Sequence, residues 1–267
     1  MKKYELTEER KVVSKTTLYR IKAVRSFSNV EAGELGGWVE KESNLDHNSD
    51  SWIYGNAKVF GNAEVFGDAT IAGNALVFGD AKVFGNATIA GNALVYDNAM
   101  VYDNAKVHHN AMVFGNAWVY GNTWVSNNAK VYGNAWVHGN TWVSDNARVH
   151  GDAKVYGDAK VFGNAWVSDN ARVHGDAEVY GTAKVCNNAE IKSQRHIVWF
   201  SSVGSEAGTL TSYKTNTGEI EVTRGCFRGT LEEFENAVKN KHEKSRIAEE
   251  YLMLLEFIKL RFKDKDK

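Results

Sequence analysis

The side chains best able to do chemistry in this sequence are histidines and a cysteine inside one long repetitive segment. They are His108, His109, His138, His150, His174 and Cys186. Histidine can act as a general base or a metal ligand, and a cysteine thiolate can act as a nucleophile. Whether these groups converge depends on the elements that carry them.

A six-residue phrase, Val-aromatic-Gly-(Asn/Asp)-Ala-x, runs from Tyr54 to Ile191 in about 23 hexads without an insertion. A second period lies on top of it, because residues 70–76 recur unchanged as residues 88–94. Eighteen residues are three hexads, so we expect coils with three flat sides. Side chains 18 apart should then lie one above another at about the 4.8 Å spacing of neighbouring strands.

Each position of a hexad has a physical role, as in the phrase from Lys58 to Ala63. Strand alternation turns Val59 inward and its two neighbours outward. Gly61 and Asn62 suit the corner, where the backbone needs left-handed angles, and the small Ala63 fits inside it. A proline would interrupt hydrogen bonds between coils, and the sequence contains none.

This phrase resembles the hexapeptide repeat, aliphatic-x-x-(Asn/Asp)-(Ala/Ser/Thr)-x, of left-handed parallel β-helix proteins. That family includes acyltransferases and γ-class carbonic anhydrases, and the resemblance covers about half of the chain. We therefore predict an all-β solenoid, a left-handed parallel β-helix of 18-residue triangular coils, over residues 54–192.

The two ends depart from the repeat. Residues 1–53 predict an N-terminal β cap, since open solenoid ends need covering, and residues 193–267 predict a small C-terminal α+β domain. In the latter we expect a strand, a hairpin, two helices and a fraying polar tail at 263–267. The Gly-Gly-Trp-Val segment at 36–39 resembles the start of a group of acyltransferase-like proteins of bacteria and phages.

Composition narrows the partners and the compartment. Lys and Arg number 32 against 33 Asp and Glu, so the chain lacks the positive surplus typical of nucleic-acid binding. Two cysteines are too few for a disulfide framework. The charged N-terminus is not followed by an apolar run, so we expect a cytoplasmic protein without a membrane anchor.

The repeat leaves little room for a catalytic site. The resemblance implies an acyltransferase histidine on an extended loop between subunits, but these hexads run uninterrupted, so we expect surface imidazoles and no catalytic residue. His138 and His174 should lie two coils, roughly 10 Å, apart with Tyr156 between them. His108 and His109 should diverge by alternation. We predict neither a metal site nor a cofactor, and Cys186 shows no sign of activation.

Outward positions carry unusual apolar and aromatic side chains. On one side a stripe predicts an oligomer interface, formed by Leu76, Phe78, Leu94, Tyr96, Met112 and Phe114. In the middle coils a cluster predicts a ligand or partner surface, formed by Trp118, Tyr120, Trp124, Trp136 and Trp142. The alternative is a purely structural role, in which stacked outward aromatic side chains only stiffen the sheets.

These features favour a non-catalytic, oligomeric β-helix that acts as a binding or scaffold protein, with a homotrimer as the usual assembly of the family. The end segments suggest a phage or prophage setting, in which a host protein or a small nucleotide-like ligand could bind the aromatic faces. The alternative function is an acyltransferase that uses a coenzyme-A-linked donor at subunit interfaces.

Overall fold

The computed structural model describes residues 2–263; Met1 and the polar tail at 264–267 lie outside the described residues. The chain forms a parallel β-helix preceded by a β cap and followed by a small antiparallel sheet with two helices. This architecture confirms the predicted fold class.

Short strands begin every six residues along the β-helix and pair in parallel with strands 18 residues away, so that Leu94 lies opposite Leu76 and Met112. They build three sheets, the sides of a triangular prism. In chain order they are β4 (Trp52–Ile53), β5 (Lys58–Val59), β6 (Glu64–Val65), β7 (Thr70–Ile71), β8 (Leu76–Val77), β9 (Lys82–Val83), β10 (Thr88–Ile89), β11 (Leu94–Val95), β12 (Met100–Val101), β13 (Lys106–Val107), β14 (Met112–Val113), β15 (Trp118–Val119), β16 (Trp124–Val125), β17 (Lys130–Val131), β18 (Trp136–Val137), β19 (Trp142–Val143), β20 (Arg148–Val149), β21 (Lys154–Val155), β22 (Lys160–Val161), β23 (Trp166–Val167), β24 (Arg172–Val173), β25 (Glu178–Val179), β26 (Lys184–Val185) and β27 (Glu190–Ile191).

The interior of the prism follows the hexad. The aliphatic residue of each strand and the small residue of each corner are fully buried, as Val95 and Ala99 are. Two corners carry a threonine instead, and the hydroxyls of Thr123 and Thr141 lie 3.0 Å apart in the core. Because each coil repeats the same small side chains, the core is a continuous column of Val, Ile and Ala.

Backbone hydrogen bonds run from each coil to the next. The amide of Lys58 donates to the carbonyl of Ala75 at 2.9 Å, and the same pattern continues along the prism. Corner asparagines add a second ladder, in which the Asn74 amide donates to Asn92 Oδ1 at 3.2 Å. A residue without an amide N–H would break the first ladder, which fits the absence of proline.

The N-terminal cap consists of β1 (Tyr4–Val13), β2 (Thr16–Ala23) and β3 (Leu35–Val39), and β3 pairs in parallel with the first coils. The structure adds β1, which the sequence did not predict. Lys3 is fully buried, and its ammonium donates to the carbonyls of Ser49 and Ser51 at 2.7 and 2.6 Å. Burial lowers the pKa of Lys3 to about 8.

The C-terminal unit contains β28 (Ile197–Val203), β29 (Gly208–Lys214), β30 (Ile220–Arg224), β31 (Phe227–Thr230), α1 (Leu231–His242) and α2 (Arg246–Phe262). The predicted hairpin and both helices are present, a capping box at Thr230 begins α1, and β31 is an addition. Among residues 2–263 no helix is long and apolar enough to cross a membrane.

This unit covers the last coil. Thr211 Oγ1 accepts from the backbone amide of Lys184 at 3.1 Å, and Thr223 Oγ1 donates to the carbonyl of the same lysine at 3.2 Å. Farther along, the amide of Asn216 donates to the carbonyl of Asn188 at 2.8 Å. Backbone groups that would otherwise be open to another chain are therefore paired. The domain limits at 53 and 192 remain predictions.

We predict that Gly67→Ala destabilises the protein more than Gly55→Ala. Both glycines have φ near +65°, at +68° and +61°, so both changes share the cost of a left-handed alanine, about 1 kcal/mol. Only at Gly67 would the new Cβ meet the next coil, 2.8 Å from the amide nitrogen of Gly85. We expect about 1 kcal/mol of additional loss from that overlap.

Thermal unfolding followed by circular dichroism measures this difference. At Gly55 the nearest atom to a new Cβ is 3.8 Å away, so Gly55→Ala is the matched control. Equal melting temperatures for the two variants would contradict a close approach of the coils at the corner.

Candidate functional site

Outward aromatic rings form two long ladders along the prism. Ring centroids are 4.8 to 5.1 Å apart in the first ladder and 4.6 to 5.3 Å apart in the second, and the rings are nearly parallel. The first ladder is Phe60, Phe78, Tyr96, Phe114, Tyr132 and His150; the second is Phe66, Phe84, Tyr102, Tyr120, His138, Tyr156 and His174. The strand spacing imposes this stacking, because each ring sits 18 residues from the next.

The predicted interface residues form one connected surface. Leu76, Leu94 and Met112 occupy adjacent strands of the same sheet, directly beside the middle of the first ladder. We call these three residues, with Phe78, Tyr96 and Phe114, the apolar stripe. Each side chain of the stripe is half-buried by its neighbours in the chain and keeps an accessible edge.

The predicted tryptophans form two stacked pairs, which we call the Trp pairs. Trp118 and Trp136 lie 5.2 Å apart with an interplanar angle of 4°, and Trp124 and Trp142 lie 5.5 Å apart at 11°. Trp142 is half exposed. Within each pair one indole face is covered by the other indole, so a partner could reach only the outer faces and the ring edges.

A cation lies over one end of each Trp pair. The ammonium of Lys154 lies 4.7 Å from the Trp136 ring, and that of Lys106 lies 4.8 Å from the Trp124 ring. These cation–π contacts further reduce the indole face that is free to stack on a ligand. Tyr120, the fifth residue of the predicted surface, is held in the second ladder between Tyr102 and His138.

The predicted divergence of His108 and His109 is wrong. Their rings converge, with the two Nδ1 atoms 2.6 Å apart. Alternation applies only to extended backbone, and His109 begins a corner with φ of +62°, which turns its side chain back toward its neighbour. Across residues 2–263, no group of three or more metal-ligating side chains is placed to hold an ion.

The other repeat histidines belong to the ladders. His138 and His174 lie on opposite faces of the Tyr156 ring, at centroid distances of 5.3 and 4.6 Å, as predicted. They are half-buried rather than free surface imidazoles, because neighbouring rings cover their faces. Burial lowers the pKa of His138 and also that of His150.

One polar pair was not foreseen from the sequence. His174 Nε2 lies 2.7 Å from Glu190 Oε1, and the two side chains are only 18% and 16% exposed. Arg172 reaches the same carboxylate at 4.0 Å. The residues are 16 apart and meet diagonally between adjacent coils, so neither the six-residue nor the 18-residue period pairs them.

Cys186 sits at the junction with the C-terminal unit. Its sulfur lies 3.1 Å from the hydroxyl of Tyr213, which is fully buried. Burial raises the pKa of the Cys186 thiol, which disfavours the thiolate. The thiol therefore contributes to the junction and is poorly placed as a nucleophile.

Together these features define a parallel β-solenoid with capped ends and laddered aromatic faces, which fits the hexapeptide-repeat β-helix proteins. No family model matches the chain. A stretch of 62 residues is 39% identical to a protein of Escherichia coli (strain K12) described as the uncharacterized acetyltransferase YdcK. The similarity covers 20% of this chain and 19% of that protein, so it supports likeness to part of an acetyltransferase-like β-helix.

We predict that His138 and His150 make the protein less stable at acidic pH. Because burial depresses the pKa of His138 and His150 in the folded state, the unfolded state binds more protons as pH falls through about 6.5. The free energy of unfolding should therefore decline from pH 7 to pH 5. The positive charges of Lys154 beside His138 and of Arg148 beside His150 also lower the pKa of these histidines. The negative charge of Asp169 raises the pKa of His150 and so opposes the effect.

The double variant His138→Tyr, His150→Tyr tests this origin, since tyrosine occupies the same columns one coil earlier. Melting temperatures of wild type and variant measured from pH 7 to pH 5 should show a shallower decline in the variant. Identical pH profiles would mean that other groups control the acid sensitivity.

Proposed function

We propose that this protein is a non-catalytic, self-associating β-helix that acts as a binding scaffold, with a homotrimer as its assembly. The observation that carries the proposal is the apolar stripe, a continuous row of half-buried apolar edges along one flat side. Soluble chains seldom leave such a row in water, and burial against another copy would remove it. The stripe lies along the direction in which the coils stack, which suits packing of copies with parallel axes.

The regularity of the coils supports a scaffold over an enzyme. From β4 to β27 each strand follows the last by six residues, so no loop projects from a corner to wall a substrate cleft. The corners are short turns of Gly or a left-handed Asp, Asn or His followed by another polar residue. Binding by such a prism would rely on its flat sides.

The Trp pairs support a protein partner over a stacked ligand. A nucleobase or sugar ring needs an open aromatic face. In each pair the two indoles cover one face of each other, and a lysine lies over Trp124 in one pair and over Trp136 in the other. Clustered surface tryptophans are instead typical anchors of protein–protein contacts. A host protein in a phage or prophage setting, and a cytoplasmic location, stay predictions within this proposal.

We expect Leu94→Asp to break self-association. An aspartate in the centre of the apolar stripe would have to lose its hydration in the interface, which is strongly unfavourable. Light scattering coupled to size exclusion should give the wild type a multiple of 29.7 kDa and the variant the mass of one chain.

Thr88→Asp is the matched control for that experiment. Thr88 precedes the inward residue of the preceding strand along the chain and is half-buried like Leu94, but it faces another side of the prism. The control should keep the wild-type mass. An unchanged mass for Leu94→Asp would remove the stripe as the interface.

An acyltransferase is the second candidate, favoured by the similarity to an acetyltransferase and by the His174–Glu190 pair. If the Glu190 carboxylate accepts from Nε2–H, Nδ1 of His174 is left as a base. It could take the proton of an amine or hydroxyl acceptor that attacks the thioester carbonyl of acyl-coenzyme A. The carbon–sulfur bond would break, and coenzyme A would leave as the thiol.

Release of free thiol from acetyl-coenzyme A in the presence of amine and hydroxyl acceptors tests this candidate. The scaffold proposal expects no turnover above background. Turnover that falls at least 100-fold in His174→Gln and in Glu190→Gln, but not in His138→Gln, would establish the enzyme instead.

A further inference from the structure

The C-terminal unit contains a cavity of about 170 Å³ between its sheet and its two helices. Most of its apolar lining is aromatic: the Phe227 and Phe234 rings meet edge to face at 5.0 Å, and Phe234 meets Tyr251 in the same way at 5.4 Å. Drug-sized pockets occupy about 300 Å³ or more, so this cavity suits a ligand of one ring. Every lining residue belongs to the C-terminal unit and none to the coils.

A buried guanidinium lines the same cavity. The Arg224 side chain is only 10% exposed; Nη2 donates to the carbonyl of Val203 at 2.9 Å, and Nη1 lies 3.9 Å from Glu206. Its Nε is buried and has no hydrogen-bond partner. A buried donor without a partner costs stability, so an acceptor at this position would be favourable.

The charge of the lining favours an anion. Lys241 and His242, in the last turn of α1, join Arg224 on the cavity wall, whereas Glu206 is the one acidic side chain among the lining residues. Glu206 is 79% exposed and can swing into solvent. A guanidinium edge with a nearby ammonium is a common way to bind a carboxylate.

From this combination we infer that the cavity is a binding site for a small aromatic monocarboxylate. The ring would lie against Phe227, Phe234 and Tyr251, and the carboxylate would accept from Arg224 and pair with Lys241. Cys226, which is exposed, lines the cavity as well and is therefore a reporter of occupancy.

Benzoate is the probe, and protection of Cys226 from iodoacetamide is the readout. Peptide mass spectrometry on the full chain gives the alkylation rate at each cysteine as benzoate is titrated. We expect protection of Cys226 in the millimolar range, as suits a ligand of this size. Cys186 serves as an internal reference, because it lies at the junction with the coils and its rate should stay constant.

Two control ligands separate the two halves of the site. Benzyl alcohol keeps the ring without the charge, and acetate keeps the charge without the ring. Each should protect Cys226 at least tenfold more weakly than benzoate. Equal protection by benzyl alcohol, or no protection by benzoate, would overturn the inference.

Lys241→Glu should weaken the protection by benzoate at least tenfold, because the change replaces an attractive charge with a repulsive one. Lys241 is exposed, so the variant should fold, which a melting curve can check. Lys244→Glu makes the same change just beyond the helix, outside the cavity, and should leave protection within twofold of wild type. Equal effects of the two variants would mean that only the general charge of this unit matters.

Discussion

The hydrogen-bond ladder between coils governs everything else in this molecule. It fixes the rise from one coil to the next at strand spacing, and it lets every column of side chains repeat at that rise. The rings of one column then have to stack, and the corner asparagine side chains form a row of hydrogen bonds. Backbone atoms of successive corners approach so closely that glycine is favoured at many corner positions. The aromatic faces are thus a product of the backbone geometry and the 18-residue period of the sequence.

This constraint explains which features the sequence could predict. Columns are set by counting, so the stacked rings, the Trp pairs and the separation of His138 from His174 follow from the two periods. Contacts between different columns, and contacts that depend on the backbone angles of a corner, do not follow from these periods. The His174–Glu190 pair is diagonal, and His109 turns back because its φ is positive.

The ends were predicted less completely, for a related reason. Outside the repeat no period ties a residue to its neighbours in space, so β1 and β31 and the cavity beneath Arg224 appear only in the structure. The two ends also close the prism differently. At the first coils a buried lysine is held by backbone carbonyls, whereas at the last coil threonine hydroxyls and a new sheet pair the exposed amides and carbonyls.

The coil period also sets the unit in which this protein can change length. Gain or loss of a whole coil would extend or shorten each ladder while every face keeps its own chemistry. Gain or loss of a single hexad would move all later columns round to the next side, and within residues 76–114 it would divide the apolar stripe between two faces. Unequal recombination within the repeat would therefore preserve the surfaces only in steps of three hexads. The length of the prism can thus change by whole coils without mixing its faces.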